Sequence, residues 1–282
     1  MRIIALLAAY NERRYIAHCL EHLIAQGLDV YLIDNGSTDE TVAIAERYRG
    51  RGLLDIEAFP RAETYSWRAI VRRKEVLAAT LDADWFLHLD TDEIRLAPRS
   101  GQTLAQFLAD ADARHYNAVN FMEFTFVPVR EHPDHDHPHF LRTMRHYYPF
   151  APALPHRLSA WKRQPERVAL AWSGGHVVRF PGLRACPESG KMRHYLFLSV
   201  EHFLSKYQRN YDPRDLQKGW HGWRAGVDVA RIALPAAATL RTWTTDDALD
   251  ASAPRATHVA DAWALPARAT TAAGGARPAP SA

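Results

Sequence analysis

Asp90, Asp92 and Glu93 fall within the four residues Asp90-Thr91-Asp92-Glu93, directly after the apolar run Trp85 to Leu89. Asp34 ends a second such run, and Asn11-Glu12 follows a third, Ile3 to Ala9. If these runs are strands of one parallel sheet, the polar residues gather at its carboxyl edge, where open α/β sheets bind ligands. Carboxylates gathered there repel one another unless a cation or hydrogen-bond donors offset them. A hard divalent cation, Mn2+ or Mg2+, is the natural occupant, and it suits a phosphate-bearing ligand. A lone Asp-x-Asp is more often a solvated turn; delivery by an apolar strand to the edge shared with Asp34 and Glu12 favours a site. No Gly-x-Gly-x-x-Gly follows the first strand and no Gly-Lys-Ser/Thr loop is present, so the usual dinucleotide and phosphate cradles are missing and a metal must replace them.

Other candidates are weaker. Glu123, in Phe121-Met122-Glu123-Phe124, is a carboxylate among apolar neighbours, where burial would raise its pKa and suit a general base; the alternative is that it faces solvent or pairs with an arginine. His176 follows Gly174-Gly175, where the backbone can approach a diphosphate or acceptor sugar closely or simply turn a hairpin. It competes with Glu123 for the role of base, as do Asp134 and Asp136. Those two lie in Glu131 to His139, which also holds His132, His135 and His137. Its histidines suggest zinc, but the spacing is wrong for a helical site and prolines interrupt it, so an acceptor-binding loop is preferred. Arg68, Arg72 and Arg73 read as a solvated helix face, and Tyr147, Tyr148, Trp220 and Trp223 as core aromatics ahead of sugar-stacking ones.

The elements that would position these residues follow from periodicity. Ile3 to Ala9, Asp29 to Asp34, Leu53 to Phe59 and Trp85 to Asp90 read as strands, separated by helices from Tyr15 to Ile24, from Ser37 through Tyr48 and from Thr64 to Leu81. This βαβαβαβ order predicts a parallel sheet with crossover helices. Then come a helix over Gln102 to Ala113, a strand over Ala118 to Val127 and a long functional loop or lid from Pro128 to Pro155. Strands are predicted over Arg157 to Trp161 and His176 to Phe180, and short helices over Ser199 to Tyr207 and Asp212 to Trp223. From about Pro235 the chain is rich in Ala, Thr and Pro, so 236–282 is expected to be largely disordered.

The 282 residues carry 35 basic and 32 acidic side chains, a balance that speaks against nucleic acid as a partner. Cys19 and Cys186 are too few for a disulfide framework or a thiolate zinc site, and fit a cytoplasmic setting. Arg2 and the short apolar run after it read as a buried strand, not a leader, and no stretch approaches the roughly 20 apolar residues of a transmembrane helix. Peripheral membrane contact stays open.

Leu7-Ala8-Ala9-Tyr10-Asn11-Glu12, Leu32-Ile33-Asp34-Asn35-Gly36-Ser37-Thr38-Asp39 and Leu87-His88-Leu89-Asp90-Thr91-Asp92-Glu93, in that order, resemble the nucleotide-sugar half of family 2 glycosyltransferases of the GT-A fold. The resemblance implies an α/β fold with a GT-A type, Rossmann-like mixed sheet, mostly parallel in its N-terminal half, and a smaller C-terminal acceptor part. It implies nucleotide-sugar contacts from Ala9, Tyr10, Asn11, Glu12, Asp34, Asn35, Asp90 and Thr91. The turn after the first strand and Asp34 would hold base and ribose, while Asp90 and Asp92 would hold ribose and a divalent metal on the diphosphate. Asn35 stands where many relatives carry a second aspartate. Arg193-His194-Tyr195, with Leu198 to Phe203 and Lys206 after it, is similar to the segment that supplies a late metal-binding histidine, a role His194 would take; a helix-capping histidine is the alternative.

The expected organisation is a nucleotide-sugar-binding half, 1–115, an acceptor and catalytic half of the same domain, 116–235, and the tail, 236–282. The expected function is metal-dependent, inverting transfer of a sugar from a nucleoside diphosphate donor to a hydroxyl of a glycan, lipid-linked or small-molecule acceptor. Without the Gln-x-x-Arg-Trp motif and membrane spans of polysaccharide synthases, single transfers are favoured over processive ones. A nucleotidyltransferase acting on sugar phosphates should instead show a Gly-rich basic loop where Tyr10-Asn11-Glu12 stands. A non-catalytic relative that binds sugar nucleotides or zinc is separated only by turnover.

Overall fold

Strand β1 (Ile3–Ala9) is apolar at every position because it is covered on both faces. Ile3, Ala5 and Leu7 face one side, where α1 (Ile16–Ala25) and α4 (Leu104–Ala113) bring Leu20, Leu23, Phe107 and Leu108. Ile4 and Leu6 face the other, against Val71, Leu77 and Ala78 of α3 (Trp67–Thr80). Burying each such side chain stabilises the fold by about 1.5–3 kcal/mol. Helix α4 starts at a capping box, with Thr103 accepting from the Gln106 N–H and Gln106 accepting from the Thr103 N–H. The computed structural model describes residues 1–61, 63, 65–207 and 227–263.

The expected α/β mixed sheet is formed. Its order is β10 (Arg241–Thr242), β7 (His146–Phe150), β6 (Ala118–Phe126), β8 (Leu158–Lys162), β4 (Trp85–Asp90), β1, β2 (Asp29–Asp34) and β3 (Leu53–Ala58). A side branch pairs β5 (Glu93–Leu96) with β9 (Gly190–Tyr195), and β9 with β6. The N-terminal strands β3, β2, β1 and β4 are parallel. Antiparallel β8 joins β4 to β6, so the later strands extend the same sheet. Three shorter helices complete the described elements: α2 (Thr41–Glu46), α5 (Phe140–Thr143) and α6 (Val200–Tyr207).

Three expectations need correcting. The predicted lid from Pro128 to Pro155 contains α5 and β7, with Tyr147 and Tyr148 buried in the core. The predicted strand over His176 to Phe180 is reduced to single bridges, because the Ser173 hydroxyl bonds both the N–H and the C=O of Val177. Within the predicted disordered tail, 236–263 forms β10 and 3-10 turns at Ala237–Thr239, Asp246–Ala248 and Val259–Trp263. Trp263 packs edge-on against Phe197 and Phe203, burial that no periodic pattern announces. The predicted helix over Asp212 to Trp223, with Trp220 and Trp223, lies outside the described residues, as does 264–282. Among the described residues no helix is long and apolar enough to cross a membrane.

Candidate active site

Strand register gathers the acidic residues. Ala9 pairs with Asp34 and Ala8 with Asp90, so the two aspartates flank the end of β1. The turn that follows is held by side chains. Asn11 adopts a φ of 55°, a left-handed conformation that asparagine tolerates, and its N–H donates to Ser37 Oγ at 3.0 Å. Asn11 Oδ1 accepts from the Thr38 N–H at 2.8 Å, and the Glu12 N–H donates to Thr41 Oγ1 at 2.8 Å. The Asp34 carboxylate accepts the N–H groups of Gly36 and Ser37, each at 3.2 Å, and Asn35 Nδ2 donates to the Phe59 carbonyl at 3.1 Å. These groups shape the edge.

A cleft lies beside it. Of the predicted residues, Ala9, Tyr10, Glu12, Asn35, Asp90, Thr91, Asp92, His176 and His194 line it; Asn11, Asp34 and Glu123 do not. The lining also includes Tyr65, Trp67, Arg157 and Lys206.

The opposite wall carries positive charge. Lys206, on the last turn of α6, donates to Asp92 Oδ2 at 2.6 Å, and His194 Nε2 on β9 lies 3.4 Å from the same oxygen. Burial works against ionised Asp92, but Lys206 and His194 outweigh it and hold the carboxyl far below the usual range. Burial also opposes a charged His194, yet Asp92 and Glu123 raise it to about 9, so it is an imidazolium bridging two carboxylates at neutral pH. Removing Asp92 would thus leave the buried Lys206 ammonium without its carboxylate partner, so it supports the fold as well as the site.

Glu123 differs from its expected role. Its carboxylate accepts from His194 Nδ1 at 2.7 Å, Thr125 Oγ1 at 3.0 Å, His156 Nε2 at 3.1 Å and Arg157 Nε at 2.8 Å. Burial pushes its pKa up, as anticipated, but Arg157 and His194 outweigh burial and hold it well below the usual value. A carboxylate with four donors and a depressed pKa is a poor proton acceptor. Glu123 instead orients His194 and Arg157. His176 keeps its place in the cleft, its ring centroid 5.1 Å from that of His156. The preceding loop is tightly fitted: Gly175 has φ of 98°, a Cβ there would lie 2.5 Å from His88 Nε2, and buried Glu75 accepts the N–H groups of Leu170 and Ala171 at 2.6 and 2.7 Å.

The donor chemistry suits a divalent cation: Asp90 and Asp92 supply hard oxygens and His194 an imidazole. A cation already stands at Asp92, the Lys206 ammonium. Burial, and after it the neighbouring Glu93 charge, push Asp90 up to about 6. Among the described residues no three His, Cys, Asp or Glu side chains are gathered closely enough to hold an ion as they stand. Loading therefore requires side chains at Asp92 to rearrange.

The histidine-rich segment 131–139 stands apart from the cleft lining. His135 is buried, its N–H donating to the Leu198 carbonyl at 2.8 Å, and Asp136 is bound to Arg14 at 2.6 Å. Asp136 is thereby committed to an ion pair, and Asp134 accepts the Asp136 N–H at 2.8 Å. Arg73 pairs with Glu57 at 2.7 Å, on the helix face read as solvated. Arg157 and the Lys206 contact escape sequence reasoning, since their partners Glu123 and Asp92 lie 34 and 114 residues away. Lys206 falls within the segment singled out for His194, the one available signal.

The family model described as glycosyl transferase family 2 matches residues 5–151, just over half of the chain. The lipopolysaccharide core biosynthesis glycosyltransferase LpsC of Rhizobium meliloti (strain 1021) is 28% identical over 109 residues, 38% of this chain and 37% of that protein. The alignment thus spans little more than a third of this curated relative. Among solved structures, S. aureus TarS 1-349 overlaps 69% of this chain and 60% of its own at 14% identity, with a TM-score of 0.43. The mannosyltransferase PcManGT from Pyrobaculum calidifontis, in complex with GDP-Man and Mn2+, overlaps 43% and 35% at 20% identity, with a TM-score of 0.32. With the family model covering the three strand-end motifs and the strand that bears Glu123, the chain belongs to glycosyl transferase family 2.

Proposed function

We propose that the protein moves a sugar from a nucleoside diphosphate donor to an acceptor hydroxyl, in single transfers that invert the anomeric carbon. The observation that carries this reading is the meeting, in one cleft, of the strand-end carboxylates Asp90 and Asp92 with the cations Arg157, His194 and Lys206. The base and ribose would lie along Ala9, Tyr10, Glu12, Asn35 and Thr91, over an edge shaped by Asn11 and Asp34. The diphosphate would lie between Asp90 and Asp92 on one side and Lys206 and Arg157 on the other. Asp90, Asp92 and, once it gives up its ring proton, His194 would hold Mn2+ or Mg2+, which when bound offsets the charge growing on the leaving diphosphate. Lys206 and Arg157 add fixed positive charge at that end.

His176 is the proposed base: it lines the cleft on a loop pinned by Glu75 and Gly175, and a histidine can take a hydroxyl proton near neutral pH. The partial likeness to an enzyme of lipopolysaccharide core biosynthesis supports a saccharide or lipid-linked acceptor ahead of a small molecule.

The test is incubation with a panel of UDP-, GDP- and TDP-sugars, Mn2+ and saccharide acceptors, measuring nucleoside diphosphate release and product. One donor should be turned over, and His176→Gln should slow it by about 10²–10⁴-fold with donor affinity near wild type. No turnover with any donor, and no nucleotide binding, would overturn the reading.

A further inference from the structure

Lys206 is closely held in the cleft. Its side chain is 9% exposed, and its Nζ contacts Asp92 Oδ2 at 2.6 Å and the Leu196 carbonyl at 3.4 Å. The ammonium also lies 4.8 Å from the ring centre of Tyr15 and 5.7 Å from that of Tyr207, two faces that attract a cation. His194 Nε2 approaches the same Asp92 oxygen from β9. Oδ2 is thus occupied twice, by groups from two elements of the C-terminal half.

A divalent ion needs an oxygen of Asp92. At contact distance it would meet the ammonium across a buried space, where like charges repel far more than in water. The two cannot share Oδ2. An ammonium leaving Asp92 needs another anion to be stable while buried, and a diphosphate in the cleft supplies one.

We propose that Lys206 occupies the metal position of Asp92 in the empty enzyme and passes to the donor's diphosphate when metal binds, so that metal and donor load together. This rests on the transfer reading for the identity of the donor. Lys206 then has two anionic partners in turn: Asp92 before loading and the leaving diphosphate during transfer. Because coupling between ligands is reciprocal, the metal alone should bind weakly, and a diphosphate should strengthen its binding by drawing Lys206 away as well as by direct ligation.

The experiment is calorimetric titration of the full chain with MnCl2 alone, on wild type and Lys206→Met, after thermal melts show both folded. Loss of a fixed positive charge beside Asp92 would by itself favour Mn2+, so the variant is read together with its diphosphate affinity and with the labelling below. The inference expects Lys206→Met to bind Mn2+ more tightly by about 5–150-fold, the usual span of coupled sites, and to bind UDP or GDP with Mn2+ more weakly. A second measurement needs no variant: amine acetylation of wild type, read by peptide mapping, should label Lys206 faster with Mn2+ present than without. Equal or weaker Mn2+ affinity in the variant, or labelling indifferent to Mn2+, overturns the inference. If the variant does not fold, the labelling result decides. Failure of the transfer reading would show separately, as a donor panel without turnover.

Discussion

The two walls of the cleft are built by different physics. On the N-terminal wall, polar groups are satisfied close to the strand ends that carry them: Asp34 by Gly36 and Ser37, Asn11 by residues 37–39 of the neighbouring turn, Asn35 by Phe59. On the C-terminal wall, Glu123 gathers His156, Arg157 and His194 from 33, 34 and 71 residues away, and Lys206 reaches Asp92 across 114. The first wall is a pair of turns held by backbone and uncharged side-chain partners, two or three residues away at Asp34 and 24–28 residues away at Asn35 and Asn11. The second is a network of buried charges, each of which depends on the others being in place. Substitutions on the second wall should therefore cost stability as well as function.

The largest expected effect comes from Glu123→Gln. It leaves Arg157 and His194 short of a buried countercharge, and breaking such pairs costs about 3–5 kcal/mol. Urea unfolding should show that loss. A variant within about 1 kcal/mol of wild type that still lacks turnover would return the role of base to Glu123, on the ground that its charge then serves chemistry and not the fold.

A smaller effect, behind the N-terminal wall, probes the boundary between the two. Lys74 is buried, bonded to His88 Nδ1 at 2.9 Å and the Leu89 carbonyl at 3.1 Å, and burial lowers its pKa from 10.5 to about 8. The folded protein then binds fewer protons than the unfolded chain between those two pH values. The cost of the buried ammonium is fully present below pH 8 and is relieved as pH rises toward 10.5. Between pH 7 and pH 10 wild type should gain roughly 2–3 kcal/mol of unfolding free energy relative to Lys74→Met. Parallel stability curves for the two proteins would show that Lys74 is not titrating in this window and would contradict its description as an ammonium buried at a cost.

The same contrast explains what the sequence disclosed. Strands β1, β2 and β4 were legible because continuous apolar runs ending in polar residues are what a covered parallel strand requires. The convergence of Asp34 and Asp90 followed from that order alone. β5 and β9 were not legible: Glu93–Leu96 alternates but spans only four residues, and its charged face, which alternation assigns to solvent, is buried with Glu93 and Arg95 paired at 2.6 Å against the strand Gly190–Tyr195. For Glu123, apolar flanks gave burial correctly. The sign of its pKa depended on Arg157, His156 and His194, partners that no local window contains. Trp263 and Ala260 show the same limit in the tail, where a few side chains pack without periodicity.

The account's central claim is that both walls close on one diphosphate. A crystal structure of the full chain with Mn2+ and the nucleoside diphosphate selected by the donor panel tests it most directly. The account predicts the ribose along the turn after β1, the metal on Asp92, and the diphosphate within hydrogen-bond distance of Lys206. A nucleotide bound elsewhere on the molecule, or one in the cleft with Lys206 still on Asp92 and no contact to the C-terminal wall, would contradict it.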